Sequence, residues 1–207
     1  MNYRQSHTAT VGRDYDAALG ADDFNGYMAL REAAVLAALL DKPLLARRQR
    51  YLDFACGTGR ILGQLAPHFE EAVGVDVSEK MVEQARAKAP QATIHLADLT
   101  KDALSLGEFD LVTAFRFFGN AEDALRAEVL RALRARLRPD GVLVINNHRN
   151  PAALRARLTG AGPMDLTLPK LARLLGAAGF RIVETIPIGS WMLIHRLSAA
   201  RYWNTRW

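Results

Sequence analysis

A chain of 207 residues has the length of one domain with at most a small appendage. Half of it is hydrophobic and 24% is charged, which excludes disordered, collagen-like and disulfide-scaffold classes. The single cysteine, Cys56, forms no internal disulfide, so a cytoplasmic location is expected. The longest apolar run, Ala33–Leu40, is too short to span a bilayer, and Met1–Gln5 leads into polar residues and not into an apolar signal stretch. The net charge of +5 is uneven: residues 1–121 carry 13 basic and 16 acidic side chains, residues 122–207 carry 14 and 6. Most of the later arginines fall on expected helix faces, so a solvated polar face is the first reading and a polyanion surface the second.

Residues 1–21 read as a loosely held arm. Phe24, Tyr27, Met28, Val35, Leu36 and Leu39 recur at helical spacing, giving a helix from Asp22 or Asp23 to Leu40. Strands and helices then alternate. Tyr51–Phe54 is the first expected strand, followed by a glycine loop and a helix from Arg60 to Ala66 that Pro67 stops. Ala72–Asp76 is the second strand, and Ser78 caps a helix ending near Pro90. Ala92–Leu96 and Phe109–Phe115 are the third and fourth strands. Asn120 caps a long helix with a core stripe of Leu125, Val129, Leu130, Leu133 and Leu137, and a polar face of Arg126, Arg131, Arg134 and Arg138. Pro139-Asp140-Gly141 reads as a turn, Val142–Asn146 as the fifth strand, Pro151 as a helix start. Thr167 begins a helix that Gly179 closes, and Phe180–Ile186 is the sixth strand. Apolar strands alternating with helices give an α/β fold: a doubly wound Rossmann-like sheet, mostly parallel, with helices on both faces. A seventh, antiparallel strand is left open, because Trp191–Leu197 reads as that strand or as the start of an amphipathic helix running through Trp203.

Ligands of such sheets sit at the carboxyl ends of the strands. There the first strand ends in Asp53-Phe54-Ala55-Cys56-Gly57-Thr58-Gly59, where Gly57 and Gly59 permit a sharp turn and close backbone approach. The second strand ends in Asp76, an acceptor suited to a ribose diol. The third ends in Ala97-Asp98-Leu99, an acceptor suited to an exocyclic amine. Leu62 stands where a dinucleotide fingerprint has glycine or alanine, and the carboxylate of Asp53 favours an ammonium or sulfonium over a pyrophosphate. A nicotinamide oxidoreductase is therefore the outside reading.

These motifs together resemble the class I S-adenosylmethionine-dependent methyltransferases over roughly residues 45–186. The resemblance implies S-adenosylmethionine as cofactor, with S-adenosylhomocysteine as product. It implies that Asp53 and the loop backbone of Ala55, Cys56, Gly57 and Gly59 hold the methionine part. Asp76 holds the ribose, Asp98 and the Leu99 amide the adenine, and Val77 or Met81 packs on its ring. Phe115 ends the fourth strand on the cofactor side. Ala55 departs from the glycine that many members have. The family's N-terminal segment often lids the cofactor, so residues 1–44 are expected as arm and lid helix and 45–207 as the cofactor-binding domain. Tyr15 then covers the methionine end and Arg31 pairs with its carboxylate; a loose arm and a helix-surface charge are their plainer alternatives. Residues 116–122 and 146–151 resemble a bacterial subgroup of this family.

Acceptor candidates follow the fourth and fifth strands. His148 is the candidate base, since it titrates near neutrality, or else a histidine that hydrogen-bonds its loop. Arg116 and Arg149 are candidates for an anionic substrate or for surface ion pairs. Phe117, Phe118 and Asn120 complete the set, with core packing the alternative for the aromatics. No metal is expected, because His7, His68, His95 and His195 lack ligand spacing. The leading expectation is methyl transfer to a small-molecule acceptor at a hydroxyl oxygen. An Asn/Asp-Pro-Pro-Tyr/Phe motif, which marks adenine or glutamine acceptors, is replaced by Phe115-Arg116-Phe117-Phe118-Gly119-Asn120. RNA or another polyanion is the second enzyme reading. A non-catalytic partner subunit is the third, with Trp191, Tyr202, Trp203 and Trp207 facing a partner or a homodimer interface.

Overall fold

Five strands form one parallel sheet in the computed structural model, which describes residues 23–147 and 166–188. They are β1 (Arg50–Phe54), β2 (Glu71–Asp76), β3 (Thr93–Leu96), β4 (Phe109–Ala114) and β5 (Leu137–Ile145). Their order is β3-β2-β1-β4-β5, with every neighbouring pair parallel. The chain runs outward from β1 to β3, then returns to the other side of β1 for β4. The reversal of order thus lies between β1 and β4, where a crevice opens at the carboxyl ends.

Alternation along the strands sorts side chains to two faces. Tyr51, Ala72, Ile94 and Leu111 pack with α1 (Asp23–Leu40), α2 (Arg60–Leu65) and α3 (Glu79–Lys88). Leu52, Phe54, Val73, Val75, Val112 and Ala114 pack with α4 (Asp123–Arg134) and α5 (Leu168–Ala177). Each fully buried aliphatic side chain contributes on the order of 2 kcal/mol. The expectation of a doubly wound sheet covered on both faces holds for these elements. Among the described residues no helix is long and apolar enough to cross a membrane.

Several local expectations are corrected. Asn120 does not cap α4: Glu122 occupies the N-cap position, and the Asn120 amide donates instead to the Arg116 carbonyl at 2.5 Å. Arg126 is not on a polar face but 1% exposed, donating from Nε to the Phe118 carbonyl at 2.8 Å and from Nη1 to Asp123 at 2.6 Å. Lys170 of α5 pairs with the other Asp123 oxygen at 2.6 Å, so one exposed carboxylate joins the two helices of this face. The Lys170 ammonium, with Arg126 beside it, holds Asp123 below the ordinary carboxylate range. Leu137 begins β5 and does not extend the α4 stripe, and Pro139-Asp140-Gly141 lies inside β5, where the register with β4 shifts between Phe109 and Leu111. Local turn chemistry yields there to strand pairing across a bulge. α2 ends at Leu65, and Pro67 sits within a 3-10 turn, Ala66–His68. Ser78 stands at the N-cap of α3 without a side-chain cap bond. Residues 180–186 form no strand and are mostly exposed, leaving Ile182, Val183 and Ile186 uncovered among the described residues. Trp191–Leu197 lies outside the described residues.

Candidate functional site

The loop after β1 takes its shape from three left-handed residues: Ala55 (φ 53°), Gly57 (φ 55°) and Gly59 (φ 80°). Gly59 is needed twice. Its φ disfavours a side chain, and a Cβ there would lie 2.8 Å from the Cα of Ala85 in α3. The Gly59 amide donates to the Cys56 carbonyl at 2.9 Å and starts α2. The Cys56 thiol is buried in the core, which pushes its pKa up and makes it a packing group.

Asp76, at the end of β2, closes this loop. Its Oδ2 accepts from the Gly57 amide at 2.8 Å and its Oδ1 from the Ser78 amide at 2.9 Å. Asp98, two residues past β3, accepts from the Thr100 amide at 3.0 Å and the Thr100 hydroxyl at 2.6 Å. Leu99 is buried in the core, while Val77, before α3, and Met81, in its first turn, are half-buried. Phe115 is half-buried past β4.

Asp53 is 2% exposed on the β1 face that carries α1 to α3. The neighbouring strand supplies its partner, since Asp53 is in register with Thr113. Thr113 Oγ1 donates to Asp53 Oδ1 at 2.6 Å, and the Tyr51 hydroxyl lies 2.7 Å from the same Oγ1. Asp53 Oδ2 is buried and makes no hydrogen bond of normal geometry among the described residues. Burial raises the Asp53 pKa to about 7, with the negative charge of Asp76 adding to the rise and the Thr113 bond and the Arg60 charge opposing it.

On the other side of the reversal, Arg116 has φ 58° and its amide donates to Asn146 Oδ1 at 2.6 Å. Phe117 is 3% exposed and packs edge-on against Phe54 and Phe118, with ring centroids 4.9 and 5.2 Å away. Both phenylalanines therefore sit in the core, the plainer of the two expectations. Asn120 is exposed. Arg31 lies half-buried on α1, with a buried Nε that makes no hydrogen bond among the described residues. Tyr15, His148 and Arg149 lie outside the described residues.

Two polar residues of the site escaped the sequence reading. Glu32 of α1 is 1% exposed; Arg60 Nη2 lies 2.6 Å from its Oε2 and the Asn146 amide donates to its Oε1 at 2.9 Å. Asn146 is buried at the end of β5. The signal for Glu32 was its spacing: Met28, Glu32, Leu36 and Leu40 recur every fourth residue, so the carboxylate rides on the buried stripe.

The arrangement fits a ligand carrying a cation, a diol and an aminopurine. A buried, incompletely bonded carboxylate suits an ammonium or sulfonium. The Asp76 carboxylate, an acceptor at the end of β2 that also takes the Gly57 and Ser78 amides, suits the hydroxyls of a diol.

Comparisons with known proteins agree with this geometry. Residues 52–141 match the family model described as a methyltransferase domain. A dTDP-3-amino-3,6-dideoxy-alpha-D-glucopyranose N,N-dimethyltransferase of Streptomyces fradiae is 35% identical over 138 residues, covering 65% of this chain and 53% of the relative. A ubiquinone biosynthesis O-methyltransferase of Cereibacter sphaeroides is 30% identical over 70% of this chain and 60% of its own. The S-adenosylmethionine-bound structure of CalS10, an amino pentose methyltransferase of Micromonospora echinaspora, superposes with a TM-score of 0.56 at 28% identity, over 70% of this chain and 60% of that one. In sheet order, glycine loop and strand-end acids the chain is similar to the class I S-adenosylmethionine-dependent methyltransferases. The chain spans about half the length of the first of these relatives.

Proposed function

We propose that this protein transfers the methyl group of S-adenosylmethionine to a small-molecule acceptor. The observation that carries the reading is the placement of Asp53, Asp76 and Asp98 at the ends of three adjacent strands around a left-handed loop, at the reversal of strand order. When bound, the cofactor supplies an electrophilic methyl carbon on a sulfonium. The protein's work is to orient it and exclude water. The loop of Ala55, Cys56, Gly57 and Gly59 with Asp53 takes the methionine end. Asp76 takes the ribose hydroxyls, and Asp98 with the Leu99 amide takes the adenine, flanked by Val77, Met81 and Phe115. Tyr15 and Arg31 belong to the covering segment, residues 1–44. Arg116, Asn120 and Arg149 are the residues proposed to recognise the acceptor, above the core in which Phe117 packs.

Two acceptor atoms remain in play, each with its own support. An amine nitrogen is favoured by the 35% identity to an aminosugar N,N-dimethyltransferase. A hydroxyl oxygen is supported by the relative named as a ubiquinone biosynthesis O-methyltransferase, and His148 is then the base that takes the hydroxyl proton. An amine that arrives neutral needs no such base. A cytoplasmic location and, at most, a homodimer complete the reading. Transfer from methyl-labelled S-adenosylmethionine to paired acceptors, amino sugar nucleotides and their hydroxyl analogues, separates the two. Label in the amine alone supports nitrogen. Label in the hydroxyl compound, lost in His148→Ala, supports oxygen. Label entering only bulk RNA contradicts the small-molecule reading.

A further inference from the structure

Glu32 reaches both sides of the crevice from one side chain. Its Oε2 meets Arg60, the first residue of α2 after the glycine loop, at 2.6 Å. Its Oε1 accepts from Asn146, the residue after β5, at 2.9 Å. The other end of the same Asn146 amide accepts from the backbone of Arg116, two residues past β4, at 2.6 Å. The carboxylate thus spans the reversal between β1 and β4. Helix α1 is held on one side by the loop helix and on the other by the ends of β4 and β5. Gln64 adds a second tie, donating to the Ala33 carbonyl at 3.0 Å.

A buried carboxylate is a costly way to fasten a helix when an apolar side chain would pack there. It has two properties a leucine lacks. It neutralises Arg60, a cation at a helix N-terminus, where the helix dipole disfavours positive charge. It also fixes the Asn146 amide, with its nitrogen toward Glu32 and its oxygen toward Arg116, and so supports the left-handed backbone of Arg116. A non-glycine residue at φ 58° is strained and persists only where its surroundings enforce it.

We propose that Glu32 is a positioning residue that couples the glycine loop to the acceptor side, fixing Arg116 through Asn146 when the loop is occupied. The proposal rests on the reading that the glycine loop takes the cofactor and that the ends of β4 and β5 face the acceptor. It predicts that ligand binding in the loop is felt at residues 115–118 through this one carboxylate.

The test is amide hydrogen exchange, with and without S-adenosylhomocysteine, on the wild type, Glu32→Gln and Asn146→Ala, with affinities from calorimetry. In the wild type the ligand slows exchange in residues 55–59 and also in 115–118. In E32Q the affinity falls by roughly tenfold. At saturating ligand E32Q keeps the protection of 55–59 and loses that of 115–118. In N146A, which leaves the Arg60 pair intact, the affinity stays within about threefold of wild type and protection of 115–118 is again lost. A merely structural role raises exchange everywhere alike and leaves the ligand-induced pattern unchanged; that pattern in either variant overturns the proposal. If the wild type binds no S-adenosylhomocysteine, the cofactor reading fails separately. The ligand-free proteins then decide: equal exchange of the Arg116 amide in wild type and E32Q overturns the link, and exchange faster by about tenfold supports it.

Discussion

Thr113 donates its hydroxyl to Asp53 at 2.6 Å, joining the two strands between which the strand order reverses. Among the described residues Thr113 is the one side chain that hydrogen-bonds this carboxylate, which is 2% exposed, and burial dominates, raising its pKa to about 7. The folded protein therefore holds this proton at pH values where the unfolded chain has released it. Stability from this group is fully present below the unfolded pKa and is lost as pH rises through about 7. We predict that Asp53→Asn, which keeps an oxygen for Thr113, unfolds at the same urea concentration as wild type near pH 4. At pH 8 it is more stable, by up to about 4 kcal/mol. A cationic cofactor reverses the balance: its affinity for the wild type rises between pH 6 and 8 and is flat in the asparagine variant.

Gly57 and Gly59 share a positive φ but not their surroundings. A Cβ on Gly57 meets nothing within 4 Å, whereas one on Gly59 meets the Ala85 backbone at 2.8 Å. Gly57→Ala is expected to cost about 1 kcal/mol, the strain of the left-handed region. Gly59→Ala adds a collision that pushes α2 from α3, costing about 3 kcal/mol or more and abolishing cofactor binding. Chemical denaturation of the two variants side by side checks this; equal losses would contradict the packing account.

Ala55 carries the same backbone strain without needing its side chain for the turn. Ala55→Gly is expected to leave stability within about 1 kcal/mol of wild type, relief of strain offsetting the greater freedom of the unfolded chain. Melting curves decide, and a loss beyond 2 kcal/mol would mean that the methyl group packs more strongly than its half-buried position indicates.

Arg126 stabilises the turn after β4 from within. Arg126→Met fills similar volume but leaves the Phe118 carbonyl without its donor. A loss of about 2 kcal/mol is expected in denaturation experiments, with S-adenosylhomocysteine affinity little changed. An unchanged midpoint would show that water replaces the guanidinium.

The strands β1 to β4 were legible because each is a short apolar run bounded by loop residues, and the strand-end acids were legible because the parallel order puts them at one edge. The misses have specific physical causes. Pro139-Asp140-Gly141 has turn chemistry, and only pairing with β4 across a shifted register draws it into β5. Phe180–Ile186 has strand composition, but composition does not supply a neighbour to pair with. Arg126 is assigned by charge to a polar face, and Glu32 is not singled out at all. Their neighbours at helical spacing are buried, and each charge is matched by a partner far away in sequence or by a backbone carbonyl that no local pattern reveals.

The central claim is that Asp76 and the loop it closes hold an adenosyl cofactor. Calorimetric titration with S-adenosylmethionine, S-adenosylhomocysteine and NAD, on the wild type and on Asp76→Ala, tests it most directly. The account predicts that the wild type binds the first two and not NAD. In the variant, which loses the acceptor of both the Gly57 and Ser78 amides, affinity falls by at least about tenfold. Binding of NAD, undiminished binding by the variant, or no binding of either sulfur nucleoside by the folded wild type would contradict it.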